Sequence, residues 1–261
     1  MRPNTVKQKW RQGGVAVGGW LSVPSSYSAE IMANQGFDWL CIDMQHGAID
    51  YPDCFHMLQA ISTTPTVPFV RVPSNDFADI GRVLDAGAYG VIIPLVNNRW
   101  DAERAVRAMR YPPKGERSSG PARAALYAAG DYQAHANDEV ACIVMIETVE
   151  ALHNLDAIMS VPGVDCAYIG PSDLAYALGI EPTGDNHDPR HSEAVLEILA
   201  AAKRHGVAPG MHTASVEFTT RWLEAGFQMV MLGADRAFMA RQAGADLAAA
   251  RATANVERVT A

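Results

Sequence analysis

The sequence predicts an α/β fold closed as a (β/α)8 TIM barrel. Three observations carry this: eight short apolar runs recur along the 261 residues, segments of helical period separate them, and the runs lack strict apolar/polar alternation. Runs of Val, Ile, Leu and Met without alternation belong to strands covered on both faces, as in a parallel sheet wrapped by helices. An open doubly wound sheet satisfies the same pattern. Eight units over this length favour the barrel, as a single domain spanning residues 1–261.

Taken in order, the first run, 15–21, leads into SSYSAEIMANQG, where serines can cap a helix and glycine can end it. The second, 39–44, turns abruptly polar at Gln45 and His46. The third, 68–72, carries Arg71 among apolar neighbours and precedes the amphipathic DFADIGRVLDAGA. After the fourth, 91–96, the long segment YPPKGERSSGPARAALYAAGDY, 111–132, breaks the spacing. A loop of this length is usually functional or disordered, and its Gly, Pro and Ser content fits a cover over the barrel mouth. The fifth run, 141–146, ends at Glu147 before VEALHNLDAIMSV, and the sixth, 166–169, opens into GPSD. The seventh, 207–211, reaches His212 before SVEFTTRWLEAGF; the eighth, 229–232, precedes the Ala-rich AGADLAAARATANVERV. That last helix can serve oligomerisation as easily as the core.

A hydrophobic content of 49% and a charged content of 19% support a substantial core. The net charge of -8, with no compensating basic tract, argues against nucleic acid or an anionic membrane as partner. It leaves room for a small anion held by local arginines. Cys41, Cys54, Cys142 and Cys166 show no metal or disulfide spacing and read as buried thiols in a reducing compartment. No apolar signal core opens the chain and no run reaches the roughly 18 residues of a membrane span, so a soluble, cytoplasmic protein is expected.

In a barrel of this kind chemistry gathers where strands end. Those ends supply Asp43, Gln45 and His46, then Arg71, Glu147, Ser172 with Asp173, and His212. Glu147 and Asp173 stand on adjacent strands, about 4.8 Å apart between axes, where two carboxylates suit one hard divalent cation such as Mg²⁺ or Mn²⁺. The competing reading is that each caps the following helix. Arg71 needs an anion, either a protein carboxylate or a substrate. His46 is the candidate general base, with Asp43 and Asp85 as carboxylates near it if the fold brings them together. The backbone of Gly170, Pro171, Ser172 and Asp173 offers N–H groups to a substrate carboxylate. Lys7, Lys9, Lys114 and Lys203 lie away from the strand ends, so carbonyl chemistry here is expected to be metal-assisted rather than routed through a Schiff base.

Together, FDWLCIDMQHG, PFVRVP, GVIIPLV, YPPKGERSSGPARA, MIETVEALHNLDAI and VDCAYIGPSDLAYALG resemble the HpcH/HpaI family of class II pyruvate aldolases. The resemblance implies a divalent metal cation (Mg²⁺, Mn²⁺ or Co²⁺) on Glu147 and Asp173, and His46 as base with Asp85 and Asp43 around it. It also implies Arg71 facing the pyruvyl oxygen and the Gly170–Ser172 backbone holding the carboxylate. The implied partners are a small-molecule 2-oxoacid and an aldehyde. The implied assembly is a homo-hexamer, a trimer of dimers with the C-terminal helix exchanged between subunits. Two positions depart from many relatives: Met145 stands where they have glutamine, and Gln45 where they have glutamate before the base. With His212, these positions bear on how substrate is held. A lyase acting on a malyl or citramalyl thioester, and a non-catalytic oxoacid-binding barrel, are the rival readings; the first needs a basic surface for coenzyme A that the sequence lacks.

Overall fold

A computed structural model describes residues 1–128 and 131–254. Helix α1 (Thr5–Arg11) precedes a regular alternation: β1 (Ala16–Leu21), α2 (Ser26–Ala33), β2 (Trp39–Asp43), α3 (Tyr51–Ile61), β3 (Val67–Arg71), α4 (Phe77–Asp85), β4 (Gly90–Ile93) and α5 (Arg99–Met109). After α6 (Ala122–Tyr127) and α7 (Tyr132–Glu139) come β5 (Ala141–Ile146), α8 (Val149–His153), α9 (Leu155–Met159), β6 (Cys166–Ile169) and α10 (Pro171–Ala177). The described chain ends with α11 (Pro189–His205), β7 (Ala208–His212), α12 (Val216–Ala225), β8 (Met229–Ala234) and α13 (Asp235–Ala254). All eight strands are parallel and close in sequence order, β8 pairing back onto β1.

The core has the two layers that double-sided burial demands. Inside the barrel lie Trp39, Phe69, Ile143, Tyr168 and Met229, while a larger apolar layer joins the strands to the surrounding helices. Gly18 makes the inner layer possible, because a Cβ there would sit 2.0 Å from the Trp39 ring. Cys41, Cys142 and Cys166 on strands and Cys54 on α3 are buried free thiols; burial pushes Cys54 and Cys142 up to about 12.

The run expected over 91–96 is a strand only as far as Ile93, because Leu95 takes a positive φ of 54° and turns its N–H onto Glu147. The segment 111–132 corrects a second expectation: its described residues, 111–128 and 131–132, cover the opposite end of the barrel from the mouth. Helix α5 returns the chain from the mouth to the N-terminal ends of the strands, so what joins α5 to β5 must lie there. Arg117 reaches Asp85 at 2.7 Å and the Tyr132 hydroxyl at 2.8 Å, and Arg123 donates to the Leu58 carbonyl at 3.1 Å. Helix α1 seals the same end, with Lys7 paired to Asp165 at 2.8 Å.

Almost all of α13 beyond its first residue is exposed, Met239 and Leu247 among the exposed apolar side chains. The rest of the Ala-rich segment lies outside the described residues. Among the described residues no helix is long and apolar enough to cross a membrane.

Candidate active site

The C-terminal ends of the strands enclose a cavity of about 250 Å³, below the roughly 300–1,000 Å³ typical of drug-sized ligands. Its lining gathers Asp43, His46, Arg71, Met145, Gly170, Pro171, Ser172, Asp173 and His212.

Asp43 ends β2 and Arg71 ends β3 as register partners. Arg71 donates from Nε and Nη2 to the two carboxylate oxygens at 2.8 and 2.6 Å. Burial alone would raise the Asp43 carboxyl, but the hydrogen bonds and charge of Arg71 outweigh it and hold the group below the usual range. Asp43 Oδ1 also accepts the backbone N–H groups of Gln45 and His46 at 3.1 and 3.2 Å. One carboxylate therefore fixes both the arginine and the turn that presents the exposed imidazole. Arg71 is ion-paired and also lines the cavity, its Nη1 left without a described protein partner and its guanidinium 4.9 Å from the Trp20 ring.

Glu147 follows β5 and is 2% exposed. Its Oε1 accepts the Leu95 N–H at 2.9 Å, whereas Oε2 is buried with no partner. Burial is the main force that lifts this carboxyl to about 7; the Leu95 bond opposes it and the charge of Asp173 adds to it. A Cβ on Gly170 would lie 2.3 Å from Oε2, so the glycine keeps the space beside that oxygen clear. Two carboxylates, one with an orphan oxygen facing such a space, fit a hard divalent cation whose other positions go to water or substrate. Among the described residues no group of three or more His, Cys, Asp and Glu forms a denser cage.

His212 ends β7, with its Nδ1 3.2 Å from the Tyr168 hydroxyl. Burial and then the charge of Arg71 push the imidazole down to about 3, so it is neutral near pH 7. Burial also raises the Tyr168 phenol well above its usual value, so that hydroxyl keeps its proton beside Nδ1. The pair fixes the ring of a neutral His212 at the cavity wall.

The HpcH/HpaI aldolase/citrate lyase family profile matches residues 17–241, most of the barrel and the whole mouth. The chain belongs to the HpcH/HpaI aldolase/citrate lyase family. It is 40% identical over 249 residues to a hydroxypyruvate/pyruvate aldolase of Rhizorhabdus wittichii, covering 95% of this chain and 99% of that protein. It is equally 40% identical over 260 residues to a 4-hydroxy-2-oxo-heptane-1,7-dioate aldolase of Klebsiella pneumoniae, covering 98% and 97%. Among solved structures, an HpcH/HpaI aldolase/citrate lyase family protein from Burkholderia cenocepacia superposes with a TM-score of 0.89 at 36% identity, covering 95% of this chain and 99% of that one.

In this HpcH/HpaI barrel three expected site residues are absent from the cavity lining: Glu147, which is buried behind Gly170, and Asp85 and Gln45. Asp85 forms no hydrogen bond with His46 among the described residues; it pairs with Arg117 instead. The reason is topological: Asp85 is the last residue of α4, and a helix running back along the barrel ends at the face remote from the mouth. Gln45 is in the turn but does not line the cavity, and its Oε1 is buried without a partner. Trp20, Ser22, Ala234 and Arg236 line the cavity and were missed. They sit at the ends of β1 and β8: the first polar residue after β1 is only a serine, and the acid after β8, Asp235, is spent on the backbone N–H groups of Ser22 and Val23, so the LGADR sequence was the available signal.

Proposed function

We propose that the chain is a metal-dependent pyruvate aldolase, an aldehyde-lyase that reversibly cleaves 4-hydroxy-2-oxoacids to an aldehyde and pyruvate or a related 2-oxoacid such as hydroxypyruvate. The names of the two relatives support this, and the observation that carries the metal dependence is the unpartnered Glu147 Oε2 beside Gly170, near Asp173. Glu147 and Asp173 would hold Mg²⁺, Mn²⁺ or Co²⁺, which when bound supplies Lewis-acid polarisation of the keto group.

The remaining chemistry belongs to the chain. The Ser172 and Asp173 N–H groups, in the first turn of α10, receive the substrate carboxylate; Pro171 has no N–H to offer. His46 takes the proton of the C4 hydroxyl. The C3–C4 bond then breaks, its electron pair forming the C2–C3 double bond of an enolate as the C4 oxygen becomes the aldehyde carbonyl. Arg71, held by Asp43 with Nη1 free, stabilises the charge on the enolate oxygen until C3 is protonated. Aldol addition is the reverse. Met145, an apolar wall where many relatives have glutamine, excludes water from this side of the cavity.

The proposal extends to a cytoplasmic homo-hexamer with α13 exchanged between subunits, a use that fits its exposed apolar side chains. The base-orienting role of Asp85, unmet within one chain, then falls to the Asp85 of another copy. To test the chemistry, protein stripped with a chelator is given a 4-hydroxy-2-oxoacid and pyruvate release is followed before and after adding each metal. Release restored by metal and absent in His46→Ala is expected. Release indifferent to metal removes the Glu147 and Asp173 site, and no release with any metal returns the thioester lyase and the binding barrel to the front.

A further inference from the structure

The end of the barrel remote from the mouth holds a second cavity of about 400 Å³, between α1, the last turn of α5, α7 and the loop before β6. Its lining carries four cations, Lys7, Arg11, Arg110 and Lys114, against two carboxylates, Asp138 and Asp165, a surplus of two positive charges. That surplus stands in a chain whose net charge is -8. None of these residues takes part in the chemistry of the mouth.

The cations are set at two depths. Lys7 and Arg110 are each only 4% exposed, whereas Arg11 and Lys114 are exposed at the rim. The buried pair shares Asp165, which lies 2.8 Å from Lys7 Nζ and 3.1 Å from Arg110 Nη2. One carboxylate cannot neutralise both, and Asp165 Oδ2 also accepts the Cys142 N–H at 2.9 Å. Arg110 Nη1 is left buried with no partner. Burial first, and then the charges of Arg110 and Arg11, hold the Lys7 ammonium below its usual range even beside Asp165. At the rim Lys114 pairs with Asp138 at 3.0 Å, but Arg11 reaches only the Asp138 carbonyl, at 3.4 Å. The carbonyls at the end of α5 that would repel an anion are already taken. Those of Arg107 and Arg110 accept the Glu116 and Arg117 N–H groups at 2.8 and 2.9 Å. Buried cations left under-compensated by the protein are costly until an anion completes them.

We propose that this cavity binds a phosphate dianion, free or as the phosphate group of a small monoester, at a site separate from the mouth. A charge of two matches the surplus. The cations come from α1, from the end of α5 and from the connection that follows it, so they surround a concavity instead of sharing a plane, which suits tetrahedral oxygens better than a flat carboxylate. Bound there, the anion ties α1 to α5 and to the connection that carries Lys114. The proposal does not depend on the aldolase reading.

Its test is the melting temperature of the intact protein as inorganic phosphate or glycerol 3-phosphate replaces chloride at constant ionic strength, at a pH where both are dianions. A saturable rise is expected, because a ligand held only by the folded chain stabilises it by mass action. The apparent Kd is expected to rise about 10- to 100-fold in Arg11→Gln and in Lys114→Gln, each losing one charge-assisted hydrogen bond. Both positions are exposed, so the melting temperature without phosphate is expected to stay at the parent value. A lower apparent Kd for glycerol 3-phosphate identifies a monoester as the ligand and a lower one for inorganic phosphate the free ion; either upholds the site. No saturable rise with either overturns it, as does a rise that survives both substitutions together, which places the anion elsewhere. Succinate acting with the same apparent Kd as phosphate overturns the phosphate assignment.

Discussion

A carboxyl that titrates near 7 inside a barrel mouth costs the fold something that a cation can offset. Glu147 is lifted from 4.5 to about 7, chiefly by burial. Because its folded value lies above the unfolded one, its favourable contribution to stability is complete below about pH 4.5 and is lost as pH rises through about 7. Thermal melts of chelated protein are therefore expected to weaken across that window, by on the order of 3 kcal/mol from this group, and Glu147→Gln to remove that part of the slope. A melt series for Glu147→Gln parallel to that of the parent would show that Glu147 is not buried as an orphan. At this scale the sequence was informative wherever a strand delivers a polar side chain at its end: Asp43, His46, Arg71, Asp173 and His212 all meet in the cavity. It was uninformative about Arg236, because a surface arginine and one lining a mouth look alike until the fold places them.

Strands were legible as elements because parallel strands buried on both faces write continuous apolar runs, and 141–146 and 166–169 match β5 and β6 residue for residue. The end of β4 was not, since the turn at Leu95 is set by a hydrogen bond to Glu147, 52 residues away. The segment 111–132 was misplaced for a different reason. Its length and composition mark an irregular connection without saying which end of the barrel it crosses, whereas its place after α5 does. Its anchor is Arg117, a nearly buried guanidinium shared by Asp85 and Tyr132. Deleting one partner of a buried pair typically costs about 3–5 kcal/mol, and the partial exposure of Asp85 reduces this. Arg117→Ala is expected to lose about 2–3 kcal/mol, read as a lower denaturant midpoint at unchanged slope. A loss below about 0.5 kcal/mol, the scale of an ordinary surface substitution, would mean that this end of the barrel is sealed without it.

For the molecule as a whole, Asp85 poses the sharpest question, since its chain keeps it at the face away from His46. If the two cooperate, they do so between copies, and every working mouth takes His46 from one subunit and Asp85 from another. His46→Ala and Asp85→Asn are then each expected to be nearly inactive alone. Co-expressed in equal amounts, they assemble at random, and a mouth is intact only where a subunit with His46 faces one with Asp85. That happens at about a quarter of the mouths in a randomly mixed symmetric oligomer, so the mixture is expected to recover about a quarter of the parent activity. Mixing purified variants that do not exchange subunits gives nothing, which separates shared sites from simple addition. Recovery no greater than the sum of the two variants refutes the shared mouth. An Asp85→Asn variant that melts earlier yet keeps the parent kcat and pH profile would confine Asp85 to its pairing with Arg117.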